Sequence, residues 1–118
     1  MNKLATFQYV SIQSKDRSMY WHKTGLEEWS PQDWGCAMAG EAGELCNILK
    51  KMRRVSDGIH SENNEEMIVL KEAAAQEIGD TFLYLDLLCQ RLDLDMYCCI
   101  RDTFNRVSER EGFPHRLL

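Results

Sequence analysis

Two short acidic pairs are the residues best suited to chemistry. Glu41-Ala42-Gly43-Glu44 and Glu77-Ile78-Gly79-Asp80 each space two carboxylates three residues apart. On an α-helix that spacing puts both acids on one face, one turn apart. Either pair alone is what a solvated helix face ordinarily carries, since Glu and Asp are mostly exposed. Both pairs, however, interrupt stretches that otherwise read as apolar and helical. Carboxylates enter a helical core only when something compensates their charge. Two such helices side by side would bring four carboxylates together, and a hard divalent cation is the usual relief for that repulsion. The expected chemistry is a Mg2+ site built between two helices. Gly43 and Gly79 occupy helix-interior positions where Gly costs about 1 kcal/mol against Ala. They predict either close helix approach or room for a ligand. Ile78, Phe82, Leu85 and Cys89 predict a buried stripe beside the second pair, and Tyr84 extends the face Glu77–Asp80–Tyr84 as an aromatic wall.

The elements that must position these residues can be read along the chain. Residues 3–21 carry Leu4, Phe7 and Val10 at helical spacing, with Met19 two turns later and Ile12 off the stripe. They predict a first helix that ends in Tyr20-Trp21-His22, followed by a connection over 23–29 with a turn at Gly25. Ser30-Pro31-Gln32-Asp33 is a strong helix start, with a capping Ser, a Pro at the first helical position and an early acid. The second helix should run from Pro31 to about Arg54, with Trp34, Met38, Leu45, Ile48 and Leu49 inward. Its face Glu41–Glu44–Asn47–Lys51 ends in the cluster Lys50-Lys51-Met52-Arg53-Arg54. That cluster complements the helix dipole and can also clamp phosphate. Residues 55–64 read as a loop with a turn at Asp57-Gly58 and a cap at Asn63 or Asn64. A third helix from about Glu65 to Arg91 has Met67, Leu70, Ala74, Ile78, Leu85 and Leu88 as its core stripe. Asp93 or Asp95 caps a fourth, which runs to about Arg110 with Met96, Ile100, Phe104 and Val107 inward, and the tail from Glu111 is irregular. Four helices with short links predict an all-α four-helix bundle, one domain over residues 1–118.

Composition narrows the partners. A net charge of −5 and a pI near 5.2 argue against a general nucleic-acid binder. A single nucleotide remains open to the chain, because a metal and a few cations can hold phosphates. Cys36, Cys46, Cys89, Cys98 and Cys99 show no CxxC spacing, which speaks against zinc and fits buried thiols in a reducing cytoplasm. No apolar run approaches the length that crosses a membrane, and no signal peptide is expected.

With these residues in view, the GEAGEL and EIGD pairs resemble the MazG-like all-α nucleoside triphosphate pyrophosphohydrolases. The resemblance covers the chain from about residue 17 to the end. It implies that Glu41, Glu44, Glu77 and Asp80 hold Mg2+, with Mn2+ able to substitute. It implies that a (d)NTP is cleaved between the α and β phosphates to (d)NMP and pyrophosphate, and that the chain works as a homodimer or homotetramer. Glu41 or Glu44 would take the proton from the attacking water. Lys51, Arg54 and Arg110 would hold phosphate oxygens, although Arg110 equally suits a solvated helix end. Trp21, Trp34 and Tyr84 are candidates to stack on the base, with core packing an equal reading for Trp34. Asn47 and Asn105 are candidates to read base or sugar edges. A narrower likeness, to a phage- and bacterium-encoded subset with dATP/dGTP pyrophosphohydrolases of the MazZ type, rests on three segments. They are Trp21-His22 with Trp29-Ser30 and Asp33-Trp34, the run Gly40–Asn47, and the Phe104–Pro114 ending. It makes a purine deoxynucleotide, dGTP first, the expected substrate. Many members have a further Glu before the first pair, where this chain has Gly40. The alternatives are a dUTP/dCTP pyrophosphatase, a phosphoribosyl-ATP pyrophosphatase, or a nucleotide-binding or oligomerising module without turnover.

Overall fold

The computed structural model describes residues 6–59 and 64–118. The expected position of Leu4 and the cap at Asn63 lie outside them. Among the described residues there is no strand. The chain forms helices α1 (Thr6–Trp21), α2 (Pro31–Ser56), α3 (Asn64–Arg91) and α4 (Met96–Glu111), with a 3₁₀ turn at Gly25–Glu28. The all-α expectation with four helices holds; the expected start of the first helix at residue 3 lies outside the described residues, and the other ends fall within about two residues of those predicted. No described helix is long and apolar enough to cross a membrane.

Helix ends follow from local chemistry. Asp95 is the N-cap of α4, its carboxylate accepting from Cys98 N at 2.8 Å, and that bond holds its carboxyl below the usual range. Asp93, the other candidate for that cap, ends α3 instead. With φ 57° it sits in the left-handed region after α3. Asp93 N donates to Gln90 O and Leu94 N to Cys89 O, which closes a Schellman ending. Gly58 and Gly112 close α2 and α4 in the same way, both with positive φ. At these two positions the chain needs the freedom that Gly has and most residues lack.

The chain forms two compact units, and their boundary falls inside α3. One comprises residues 6–31 and 86–118. Leu26, Leu87, Cys89 and Met96 are buried in it, together with the polar Ser14, Ser18, His22, Asp86 and Ser108. His22 Nδ1 lies 2.8 Å from Glu28 Oε2, and its ring meets Trp29 edge-on at 4.6 Å. The other unit spans residues 32–85, with Trp34, Val55 and Ala74 buried.

Several predicted core positions are corrected. In α1, Phe7 and Met19 are exposed and the buried face is built from serines. Leu49 in α2, Ile78 in α3, and Ile100, Phe104 and Val107 in α4 are also exposed. Of the cysteines expected to be buried, Cys36 and Cys46 are exposed.

Candidate functional site

Both acidic pairs lie in the 32–85 unit, one on α2 and one on α3. Ligand atoms of Glu41, Glu77 and Asp80 all lie within 4.8 Å of one another. An octahedral Mg2+ with bonds of about 2.0–2.1 Å puts its oxygens roughly 2.9–4.2 Å apart, so small side-chain rotations would close this triad on the ion. Glu44 stands beside the triad, within electrostatic reach of Glu77, and is exposed. Among the described residues none of the four carboxylates forms an ion pair with a Lys or Arg.

Glu77 is the pivot. It is half-buried, and its Oε2 is sealed from solvent with no hydrogen-bond partner. Its pKa is pushed up to about 7, first by a hydrogen bond with the Glu41 carboxyl, then by burial, then by the charge of Glu44. Carboxyls crowded this closely favour a proton on one of them, and a divalent cation can take that proton's place. A sealed carboxylate oxygen among acids is an acceptor in want of a positive partner. The side chains present therefore fit a hard cation. Thr81 Oγ1 donates back to the Glu77 carbonyl at 2.7 Å, which fixes the hydroxyl next to Asp80 along the helix.

The glycines flanking the acids need a different account from close packing. A Cβ at Gly40, Gly43 or Gly79 would meet nothing within 4 Å. Within this chain they do not serve helix approach, and the space beside them is open.

Other expected site residues fall in varied surroundings. Trp34 is buried to 1% exposure, and its ring meets Tyr84 at 6.2 Å and 43°, which is the arrangement of a core pair. Asn47, Lys51 and Arg54 are exposed along α2. Arg53, in the same basic cluster, pairs with Asp57 at 2.9 Å. Trp21, Asn105 and Arg110 belong to the other unit. Trp21 is exposed, with the Arg17 guanidinium 4.9 Å from its ring centroid. Arg110 donates to its neighbour Glu111. Asn105 clasps the tail, its amide donating to Leu117 O at 2.9 Å and accepting from Leu117 N at 2.7 Å. Its amide is thus engaged within its own unit.

Sequence reasoning passed over one buried acid. Asp86 is 1% exposed and accepts from Ser11 Oγ at 2.7 Å and Gln90 Nε2 at 3.0 Å. Gln90 Nε2 also donates to Ser11 O. An acid inside the run Leu85-Asp86-Leu87-Leu88 was the available signal.

No family model and no solved structure matches the chain. The gene 37 protein of Mycobacterium phage L5 is 28% identical over 74 residues, 63% of this chain. The chain spans only 60% of the length of that phage relative.

Proposed function

We propose that the protein is a Mg2+-dependent nucleoside triphosphate pyrophosphohydrolase, with a four-helix MazG-like bundle as its working unit and a homodimer or homotetramer as its assembly. The observation that carries the reading is the triad of Glu41, Glu77 and Asp80, uncompensated and with one carboxylate oxygen sealed. The phage relative adds only its source to the phage side of the resemblance.

In this reading Glu41, Glu77 and Asp80 hold the cation and Glu44 stands at its edge. A bound Mg2+ supplies charge neutralisation on the phosphate oxygens and eases ionisation of water. Glu44, beside the triad and exposed, is the carboxylate free to accept the proton of the attacking water. Water adds to the α-phosphorus, the bond to the α–β bridging oxygen breaks, and pyrophosphate leaves with the bridging oxygen. Lys51, two turns beyond Glu44, and Arg54 after it hold non-bridging oxygens of the leaving group. Positioning and charge supply most of the rate in such transfers. The substrate is a purine deoxynucleotide, dGTP first, and Asn47 reads its edge one turn beyond Glu44. The setting is cytoplasmic.

The test is a panel of common NTPs and dNTPs incubated with protein and Mg2+, with products separated. The expected products are a monophosphate and pyrophosphate, fastest from dGTP or dATP. A diphosphate with inorganic phosphate would reject the reaction. Nucleotide bound without any release would make the chain a binding module, and dUTP or dCTP turned over best would reject the purine preference.

A further inference from the structure

A hollow of about 250 Å3 lies where α1, the 3₁₀ turn and the end of α3 converge, inside the unit of residues 6–31 and 86–118. Gly25, with φ 74°, folds the 3₁₀ turn back along α1, and a Cβ there would sit 3.4 Å from Met19 Cγ. Gly25 and Leu26 are buried and line the hollow together with the half-buried Gln90 and Arg91. Both of these polar side chains are held by their own chain. Gln90 Nε2 donates to Ser11 O at 2.9 Å and to Asp86 Oδ2 at 3.0 Å, and Arg91 Nε donates to Trp29 O at 2.9 Å. Their other polar atoms, Gln90 Oε1 and the terminal guanidinium nitrogens of Arg91, have no partner among the described residues.

Both signs of charge line this hollow. Lys15 and Arg91 are cationic, Glu27 and Asp93 are anionic, and among the described residues none of the four is in an ion pair. A plain anion would be drawn by the first two and repelled by the second two, and a plain cation the reverse. A zwitterion meets both pairs favourably. Size narrows the ligand further. At about 30 Å3 per water-sized group, the hollow takes roughly eight or nine non-hydrogen atoms, too few for a nucleotide. Met19 and Leu26 add an apolar wall for a short hydrocarbon group. We infer that this hollow binds a free α-amino acid with a short aliphatic side chain.

Arg91 is the anchor for the carboxylate. With Nε already fixed on Trp29 O, its outer nitrogens meet a carboxylate at little further ordering cost. Lys15 adds a second cation from the rim. The ammonium group donates to Gln90 Oε1 and faces Glu27 and Asp93. Lys15, Glu27 and Asp93 are exposed, so water and salt screen them. The half-buried Gln90 and Arg91 therefore carry most of the recognition, and the rim charges set the preference for a dipolar ligand. The site lies in the unit that lacks the acidic pairs, and it does not depend on the catalytic reading.

The test titrates the full chain with L-leucine, L-valine and L-methionine, and with two half-ligands of leucine, 4-methylpentanoate and 3-methylbutylamine. Calorimetry reads affinity, and amide chemical shifts of labelled protein read location. At least one of the amino acids should bind with a Kd of about 1 mM or tighter. Each half-ligand should bind at least about tenfold more weakly than leucine, the scale of losing a hydrogen bond to a charged group. The amide signals of Gly25, Leu26 and Gln90–Asp93 should move. Arg91→Gln should weaken binding about tenfold or more. If that variant fails to fold, Glu27→Gln combined with Asp93→Asn decides, since both positions are exposed and Asn tolerates the left-handed backbone. This double change should weaken the amino acid and strengthen 4-methylpentanoate. No binding of any of the three amino acids at about 10 mM would overturn the inference. So would 4-methylpentanoate or inorganic phosphate binding as tightly as leucine, or shifts that centre on residues outside the hollow.

Discussion

The two units each hold a buried or half-buried acid, and they treat it in opposite ways. Asp86, in the unit of residues 6–31 and 86–118, is sealed among neutral donors, with Ser11 and Gln90 serving its two oxygens. Glu77, in the 32–85 unit, is surrounded by Glu41, Glu44 and Asp80 and keeps one oxygen without a partner. Burial of a charge is tolerated when hydrogen bonds replace water. The first acid meets that condition from its own chain and is a structural element. The second does not, and the missing partner is what a cation would supply.

The largest effect that would sharpen this contrast is on turnover. Glu77→Gln and Asp80→Asn should each lower pyrophosphate release by about two to three powers of ten, the scale of losing one charge-stabilising group, while circular dichroism shows the fold intact. Asp86→Asn should leave turnover within a few fold. Near-normal activity of Asp80→Asn at limiting Mg2+ would remove that residue from the site.

Next comes stability. Asp86→Ala strands the Ser11 hydroxyl and one Gln90 donor, and should cost about 1–3 kcal/mol in urea unfolding. Glu77→Gln removes repulsion and should raise the midpoint of metal-free protein. If both changes destabilise alike, the contrast between the two acids fails.

A smaller effect is a pH dependence with a definite sign. The Glu77 carboxyl in the folded chain titrates near 7, above the ordinary carboxylate range. The folded chain therefore holds a proton that the unfolded chain has released between roughly pH 4.5 and 7. The stability linked to this group is complete below the unfolded value and is lost as pH rises through about 7. Thermal melts of metal-free protein should show that fall, Glu77→Gln should flatten it, and Mg2+ should offset it by binding the ionised form. The smallest expected effect is at the exposed Arg53–Asp57 pair, where Arg53→Ala should change stability by no more than about 0.5 kcal/mol.

Much of the local structure was legible because it is decided locally. Ser30-Pro31 announces the start of α2, Asp57-Gly58 its end, and Asp95 the cap of α4. The i, i+3 spacing of each acidic pair likewise settled which side chains share a face. Inside and outside were less legible. Phe7, Ile78, Phe104 and Val107 looked like core and lie exposed, while Ser14, Ser18 and Asp86 are buried. Periodicity says that a helix has two faces, but it does not say which is covered: Ser11 donates to Asp86 and Ser18 to the Lys15 carbonyl, while the Ser14 hydroxyl is buried without a partner.

The four acids were named from the sequence alone, through their types, spacing and glycine neighbours. Only the tertiary structure singled out Glu41, Glu77 and Asp80 as the set whose oxygens meet, left Glu44 at the side, and sealed Glu77 Oε2 without a partner. Spacing along one helix orients carboxylates relative to each other. Whether acids on two different helices meet depends on how α2 and α3 pack within the 32–85 unit, and that is set by long-range contacts that no local pattern encodes.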